Sequence, residues 1–187
     1  VTERGAASTW SANSRENRVT PWGNDPVEDP GEALYLQDLD AGTLWSPTGG
    51  PTPAAAPVEV RHGFGYSTWR TVVEGIAQHT TMSIAPDASA KLTVLRLTNA
   101  GDTPRRLAVT ASAQLTLGPR ETPRDVVTAR VGEVLTARNT ARGEFSDRVA
   151  VARAVAPEGA EVSLTADRAA FLGRFGTPEA PRALVEG

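Results

Sequence analysis

Cysteine is absent from the 187 residues, which excludes disulfides, thiolate metal sites and thiol nucleophiles and leaves the redox compartment open. Histidine is scarce. His62 and His79 are the only two, they are not spaced as a metal pair, and without a third soft ligand no zinc site and no cofactor is expected. Positive charge is not in excess either: 19 Lys and Arg stand against 22 Asp and Glu, a formal charge of −3. That balance offers no broad basic field for a phosphodiester backbone, so nucleic acid is not an expected partner. Two catalytic signatures are missing as well, the Gly-x-Ser-x-Gly elbow of a serine hydrolase and a phosphate-cradling Gly loop opening a helix. No apolar run approaches the ~20 residues that span a bilayer, and no charged-then-apolar leader opens the chain. The ends, Val-Thr-Glu and Val-Glu-Gly, read as cut. The expectation is a cytoplasmic location for this piece, with attachment of a longer parent chain to the inner membrane left open.

What is present is a chain of two characters. Trp10, Trp22, Trp45, Trp69, Tyr35 and Tyr66, all of its Trp and Tyr, precede residue 70, and the remainder builds its apolar positions almost wholly from Val, Leu and Ala. Leu107 to Leu117 alternates, with every odd position apolar, which predicts a strand with its odd face buried. Asn99-Ala100-Gly101-Asp102 supplies turn chemistry that would join it as a hairpin to a strand over Lys91 to Thr98. In that partner the apolar parity shifts between Val94 and Leu95, implying a bulge or two covered faces. Further strands are expected at Ala33 to Gln37, Thr43 to Trp45, Val58 to Arg61, Ser67 to Glu74, Ile76 to Ile84, Val126 to Val131, Val134 to Arg138, Arg148 to Val155 and Glu161 to Leu164. Asp38 to Gly42 and Val131-Gly132-Glu133 are short enough for hairpins, and Pro47 to Pro57, with four Pro and two Gly, must be a loop. At most one short helix is predicted, Asp167 to Leu172, capped by Thr165 or Asp167 and stopped by Gly173. Many short strands with almost no helix predict an all-β antiparallel sandwich in a single domain. The Gly-, Pro- and Ala-rich tail from Gly173 contributes little structure in this reading, so the sandwich should be truncated at its C-terminal end, with a sheet edge left for another domain or subunit to cover.

The stretch from Ser8 to Glu28 holds two Trp, two Arg, three Asn and several carboxylates, and fits neither strand alternation nor a helical face. An ordered surface loop of this composition suits a polyhydroxylated ligand, because flat rings stack on sugar C–H faces while Arg, Asn and carboxylates read hydroxyls. The candidate carbohydrate-facing residues are Arg15, Asn17, Arg18, Trp22, Asn24 and Asp25. Arg15-Glu16-Asn17-Arg18 could equally be internal scaffolding, and Trp10 with Trp22 could instead meet a neighbouring domain or close the end of the sandwich. Trp45, Trp69, Tyr35 and Tyr66 sit in strand-like contexts and are expected in the core. Arg61-His62-Gly63-Phe64-Gly65-Tyr66 reads as a tight turn, with Arg61, His62 and Tyr66 as a second candidate group. Asp25 with Glu28 or Asp29 is the one pairing that could serve glycoside hydrolysis, which needs two carboxylates ~5 to 9.5 Å apart. Its competing role is to order the loop through Asx turns and ion pairs. Arg105, Arg106, Arg120 and Arg124 read as solvated strand ends.

The order of the blocks Trp10-Ser11, Ser14-Arg15-Glu16-Asn17-Arg18-Val19-Thr20-Pro21-Trp22-Gly23-Asn24-Asp25-Pro26, Tyr35-Leu36-Gln37-Asp38, Trp45-Ser46-Pro47 and Arg61 to Tyr66 resembles the amino-terminal supersandwich domain of the inverting glycoside phosphorylases. Cellobiose and chitobiose phosphorylases belong to that group, as does the phosphorylase part of cyclic β-1,2-glucan synthases of the NdvB type. The Ser-Arg-Glu-Asn-Arg-x-Thr-Pro-Trp form is most similar to the last. The resemblance implies a galactose-mutarotase-like β-supersandwich that precedes an (α/α)6 barrel, with the general acid and the phosphate site both in the barrel. It therefore implies a non-catalytic, carbohydrate-associated domain whose partners are a β-glucan or oligosaccharide, the catalytic barrel and a second copy in a homodimer. A loop of this domain borders the partner's active site in related enzymes, and Ser14 to Asp25 matches it by position. The alternatives kept open are a free-standing glycan-binding module with a Trp platform, a small glycosidase and a pure scaffold.

Overall fold

The computed structural model describes residues 1–6, 8–23, 25, 29–119, 125–141 and 143–186. The described residues form ten strands and two short helices, and the pairs β1–β2, β3–β4, β4–β5, β5–β6, β8–β9 and β9–β10 are antiparallel. They fall into two compact units, one of residues 1–7, 32–112 and 178–180, the other of residues 8–31, 113–177 and 181–187.

The first unit contains two sheets. β1 (Glu32–Asp38), β2 (Thr43–Trp45) and β7 (Leu107–Ala113) make one, in the order β2-β1-β7. β3 (Glu59–Gly63), β4 (Tyr66–Val73), β5 (Ile76–Ile84) and β6 (Lys91–Asn99) make the other, a plain meander. The core lies where the two meet: Leu36 and Trp45 pack with Ile76, and Val73, Leu97 and Leu107 close around them. Trp45 donates its indole N–H to Gln78 Oε1 at 3.0 Å. A second cluster joins Ala6, Trp69 and Met82, with the Trp69 indole donating to the Glu3 carbonyl. Trp45, Trp69 and Tyr35 are therefore core, as their strand contexts predict, and large rings that also find a partner for their polar atom suit such positions. Tyr35 donates to the Pro178 carbonyl at 2.7 Å, and burial, with the Glu179 charge in support, pushes its hydroxyl well above the ordinary phenol range. Tyr66 departs from expectation. It is half-exposed at the first position of β4 beside a hairpin turn, where Gly65 takes φ 79°.

Several connections differ from the sequence reading. β6 and β7 do not form a hairpin: β7 crosses to the other sheet and joins β1. Charge pairs and the packing of Leu107 on the cluster of Leu36, Trp45 and Ile76 accompany the crossing. Arg105, at the entry to β7, forms an ion pair with buried Asp38, and Arg106 grips Asp40 through its Nε at 2.7 Å and its backbone N–H at 2.8 Å. Of these arginines, both expected as solvated strand ends, Arg106 is exposed as expected while Arg105 is largely covered, and both meet carboxylates of the β1–β2 turn. Asp38 Oδ1 accepts from the N–H groups of Asp40 and Ala41, so one carboxylate caps the turn and binds the guanidinium.

β7 also ends at Ala113 rather than Leu117, and its odd positions are covered only at Leu107, which packs on the core, while Leu117, beyond the strand, is buried as expected. Val109, Ala111 and Ala113 are exposed, whereas Ala108, Thr110 and Ser112 are half-buried. Alternation separates two faces of a strand, but which face is covered depends on what packs there. β6 pairs residue for residue with β5 without a bulge, and its parity shift leaves Leu92 and Val94 exposed while Leu95 and Leu97 point inward.

The second unit holds the sheet β8 (Val126–Val131), β9 (Val134–Asn139) and β10 (Ala150–Arg153), in the order β10-β9-β8. The Val131-Gly132-Glu133 hairpin forms as predicted, with Gly132 at φ 59°. β10 is shorter than the expected Arg148 to Val155, and Glu161 to Leu164 forms no strand. α1 (Arg168–Leu172) carries the expected cap, with Asp167 accepting from the Ala170 N–H. A second helical turn, α2 (Arg182–Val185), lies where the tail was expected to be irregular. Gly173 stops α1 at φ 80°, and a Cβ added there would lie 2.9 Å from the Arg182 side chain. Gly173→Ala should therefore lower stability by roughly 1 kcal/mol or more, read as a shift in denaturation midpoint, through strain as well as crowding. No described helix is long and apolar enough to cross a membrane.

Candidate functional site

The loop of residues 8–23 is built by its own backbone. Asn13 Oδ1 accepts from the N–H groups of Arg15 (2.9 Å) and Glu16 (3.0 Å), an Asx turn that reverses the chain with Ala12 in the left-handed region at φ 62°. Trp10 and Arg18 then face each other across an antiparallel bridge. The base is closed by Val19 N–H to the Thr9 carbonyl at 2.8 Å and by Thr9 N–H to Thr20 Oγ1 at 2.7 Å. Arg18 makes a further bridge to Gly118, so the loop is seated on the 116–118 segment of its own unit. Pinned in this way, the loop has a definite inside and outside.

Asn17 is inside. Its amide donates to the Ser11 carbonyl at 2.6 Å, which makes it a scaffold for the turn. Arg18 is half-buried and acts as a staple: Nε donates to the Ser14 carbonyl, Nη1 donates to the Trp22 carbonyl, and the guanidinium lies 5.9 Å from the centre of the Trp22 ring. The outside carries Trp10 (57% exposed), Trp22 (49%) and Arg15, whose side chain is 86% exposed and 3.5 Å from Glu16. Asp25 and Asp29 are exposed as well. Asn24, Glu28, Arg120 and Arg124 lie outside the described residues. Of the four residues Arg15-Glu16-Asn17-Arg18, Asn17 and Arg18 hold the loop together and Arg15 faces solvent.

Beside the loop is a cleft of about 270 Å³ lined by Glu16, Pro119, Asn139, Glu144 and Phe145. Asn139 is fully buried and its Oδ1 accepts from the Ala141 N–H, which shapes the turn after β9. Spacing along the chain gave no sign of this cleft, because Glu16 and Glu144 meet only through the fold.

Arg61, His62 and Tyr66 belong to the first unit, at the β3–β4 hairpin. Arg61 pairs with Glu59 at 2.9 Å. His62 Nδ1 lies 2.9 Å from Ser67 Oγ, with its ring edge-on to Trp69. A Cβ on Gly63 would fall 2.3 Å from Tyr66 ring atoms, so the absence of a side chain at 63 is what lets that ring lie across the strand. Phe64 stands fully exposed at the tip.

Residues 1–187 match the family described as "Glycosyl hydrolase 94, supersandwich domain". The chain belongs to the glycosyl hydrolase 94 supersandwich family. Among relatives of this supersandwich domain, the cyclic β-(1,2)-glucan synthase NdvB of Rhizobium meliloti is 34% identical over 196 residues, covering 100% of this chain and 7% of its own length. The N,N'-diacetylchitobiose phosphorylase of Vibrio furnissii is 32% identical over 96 residues, covering 49% of this chain and 12% of the relative. That of Vibrio proteolyticus is 31% identical over 101 residues, covering 51% and 13%. The supersandwich chain thus spans a small fraction, 7 to 13%, of the proteins it matches. The all-β antiparallel architecture agrees with the family.

Proposed function

We propose that this domain is a non-catalytic, carbohydrate-associated part of a β-glucan-processing glycoside phosphorylase or cyclic β-1,2-glucan synthase. Its Ser14 to Asp25 loop completes an oligosaccharide pocket, or a subunit contact beside one, while bond-breaking chemistry resides in an (α/α)6 barrel elsewhere in the parent protein. One observation carries the reading: Trp10, Trp22 and Arg15 are held outward on a loop whose backbone is locked by its own hydrogen bonds, whereas Trp45 and Trp69 are sealed in the core. Rings and guanidiniums presented rigidly lose little entropy on binding a sugar, which is what a pocket wall requires. The relatives' names, a glucan synthase and two disaccharide phosphorylases, point to the same substrate class.

In the parent enzyme, Trp22→Ala or Arg15→Ala should raise KM for the oligosaccharide roughly tenfold, the loss of about 1.4 kcal/mol of binding, with the melting temperature unchanged. A fall in melting temperature with intact KM would make the loop a scaffold and refute the proposal. Titrating residues 1–187 with β-1,2- and β-1,4-gluco-oligosaccharides under Trp fluorescence separates the alternative. Saturable binding by this piece alone would make it an autonomous glycan-binding module, favoured by the same exposed indoles. Phosphate-dependent release of glucose 1-phosphate by residues 1–187 would overturn the non-catalytic assignment.

A further inference from the structure

The outer face of the β3-β4-β5-β6 sheet carries a row of side chains that the sugar-facing loop does not use. Register places Glu59 opposite Arg70, Arg70 opposite His79, and His79 opposite Arg96, so these four stand side by side across four strands. Paired residues in such a row have Cβ atoms ~5 Å apart. Glu59 turns away to Arg61 at 2.9 Å. Among the described residues, the side chains of Arg70 and Arg96 make no ion pair or hydrogen bond, although the chain as a whole has more acid than base. Between them the Nε2 of His79 is shielded from solvent and has no hydrogen-bond partner among the described residues. These side chains line a groove of about 540 Å³ whose remaining wall includes Pro57, Val72 and Thr98.

We propose that this groove binds a phosphate monoester dianion, between Arg70 and Arg96 and over His79. Two unpaired guanidiniums flanking an imidazole repel one another until an anion arrives, and each fork can donate two parallel bonds to a tetrahedral oxyanion. An imidazole can donate an N–H from Nε2, and a phosphate oxygen would give that shielded nitrogen the acceptor it lacks. A dianion matches the two cations where a single carboxylate does not. Compactness matters as well: an acidic polypeptide laid along the row would run into Glu59, whereas a phosphate group seated between Arg70 and Arg96 avoids it. The adjoining Pro57 and Val72 offer an apolar wall for the organic part of the ester.

The test is a titration of residues 1–187 with inorganic phosphate and with glucose 1-phosphate, at constant ionic strength set with chloride, following His79 and the Arg side chains by NMR. Saturation with a dissociation constant in the range of roughly 1–10 mM is expected, tighter for the ester than for inorganic phosphate. Arg70→Gln and Arg96→Gln should each weaken binding about tenfold, and the pair together should abolish it, with melting temperatures unchanged because both side chains are exposed. Retained binding in the double variant would place the anion elsewhere. Shifts reproduced by chloride alone, or no saturation by 50 mM phosphate (roughly five times the weakest expected constant), would overturn the proposal. So would a charged acidic peptide competing more strongly than the ester, since that would make the face a docking surface for protein.

Discussion

Trp45→Ala should destabilise the protein by ~3–5 kcal/mol, the range for deleting a buried aromatic side chain. Trp45 is almost wholly enclosed and lies in the cluster that joins the two sheets of its unit, packed with Leu36 and Ile76. Truncation leaves a void there and also strips Gln78, itself buried, of the donor that satisfies its Oε1. Trp45→Phe separates the two effects. It keeps most of the ring, so its cost of ~1–3 kcal/mol should come mainly from the unsatisfied glutamine oxygen. Urea denaturation monitored by circular dichroism would measure both. A loss below about 1 kcal/mol for the alanine variant would show that the two sheets do not depend on this ring for their contact.

Acid should unfold the protein by way of the β1–β2 turn. The Asp38 carboxyl is held below the usual carboxylate range, first by the Ala41 N–H and then by the Arg105 guanidinium, against the opposing effect of burial. Asp40 is lowered likewise by the backbone N–H of Arg106 and then by its side chain. A depressed folded pKa means that the unfolded chain binds protons first, so stability falls as pH falls. The contribution is complete above the unfolded aspartate value of ~3.9 and is lost as pH drops from there through the lower folded values. In Asp38→Asn this acid dependence should flatten below about pH 4, and the variant should already melt lower at pH 7 because Arg105 loses its anion. If Asp38→Asn kept the full acid slope, other carboxylates would have to carry it. The same variant probes the junction of β7 with β1, where Arg105 and Arg106 meet Asp38 and Asp40.

Much of this was legible in the residues. Strand positions followed from short apolar runs between turn signals, and Thr43–Trp45, Ile76–Ile84 and Val126–Val131 matched to the residue. Local chemistry was readable too, because a cap such as Asp167 or a stop such as Gly173 acts within one turn of helix. The loop at Arg15 to Trp22 stood out because its composition suits neither core nor regular structure, and the same blocks carried the family likeness.

Pairing was less legible. Asn99 to Asp102 has hairpin chemistry, yet β7 joins another sheet, where Arg105 and Arg106 meet carboxylates some 65 positions away, and nothing near the turn announces them. The odd face of β7 shows the same limit: alternation marked Val109 and Ala111 as one face, but their exposure depends on neighbours that periodicity does not contain. The inward turn of Asn17, the cleft shared by Glu16 and Glu144, and the row Arg70-His79-Arg96 likewise join residues from different strands or loops.

By itself, then, the order of residues determined the all-β class, most strand positions, the family, and which segment is too polar and too aromatic to be core. Those properties arise from interactions within a few residues, or from patterns that persist along the chain. Tertiary structure alone decided which strands became neighbours, which faces met water, and which side chains of the loop were spent on holding it. Each of these depends on contacts between distant residues, and such contacts exist only once the chain has closed on itself.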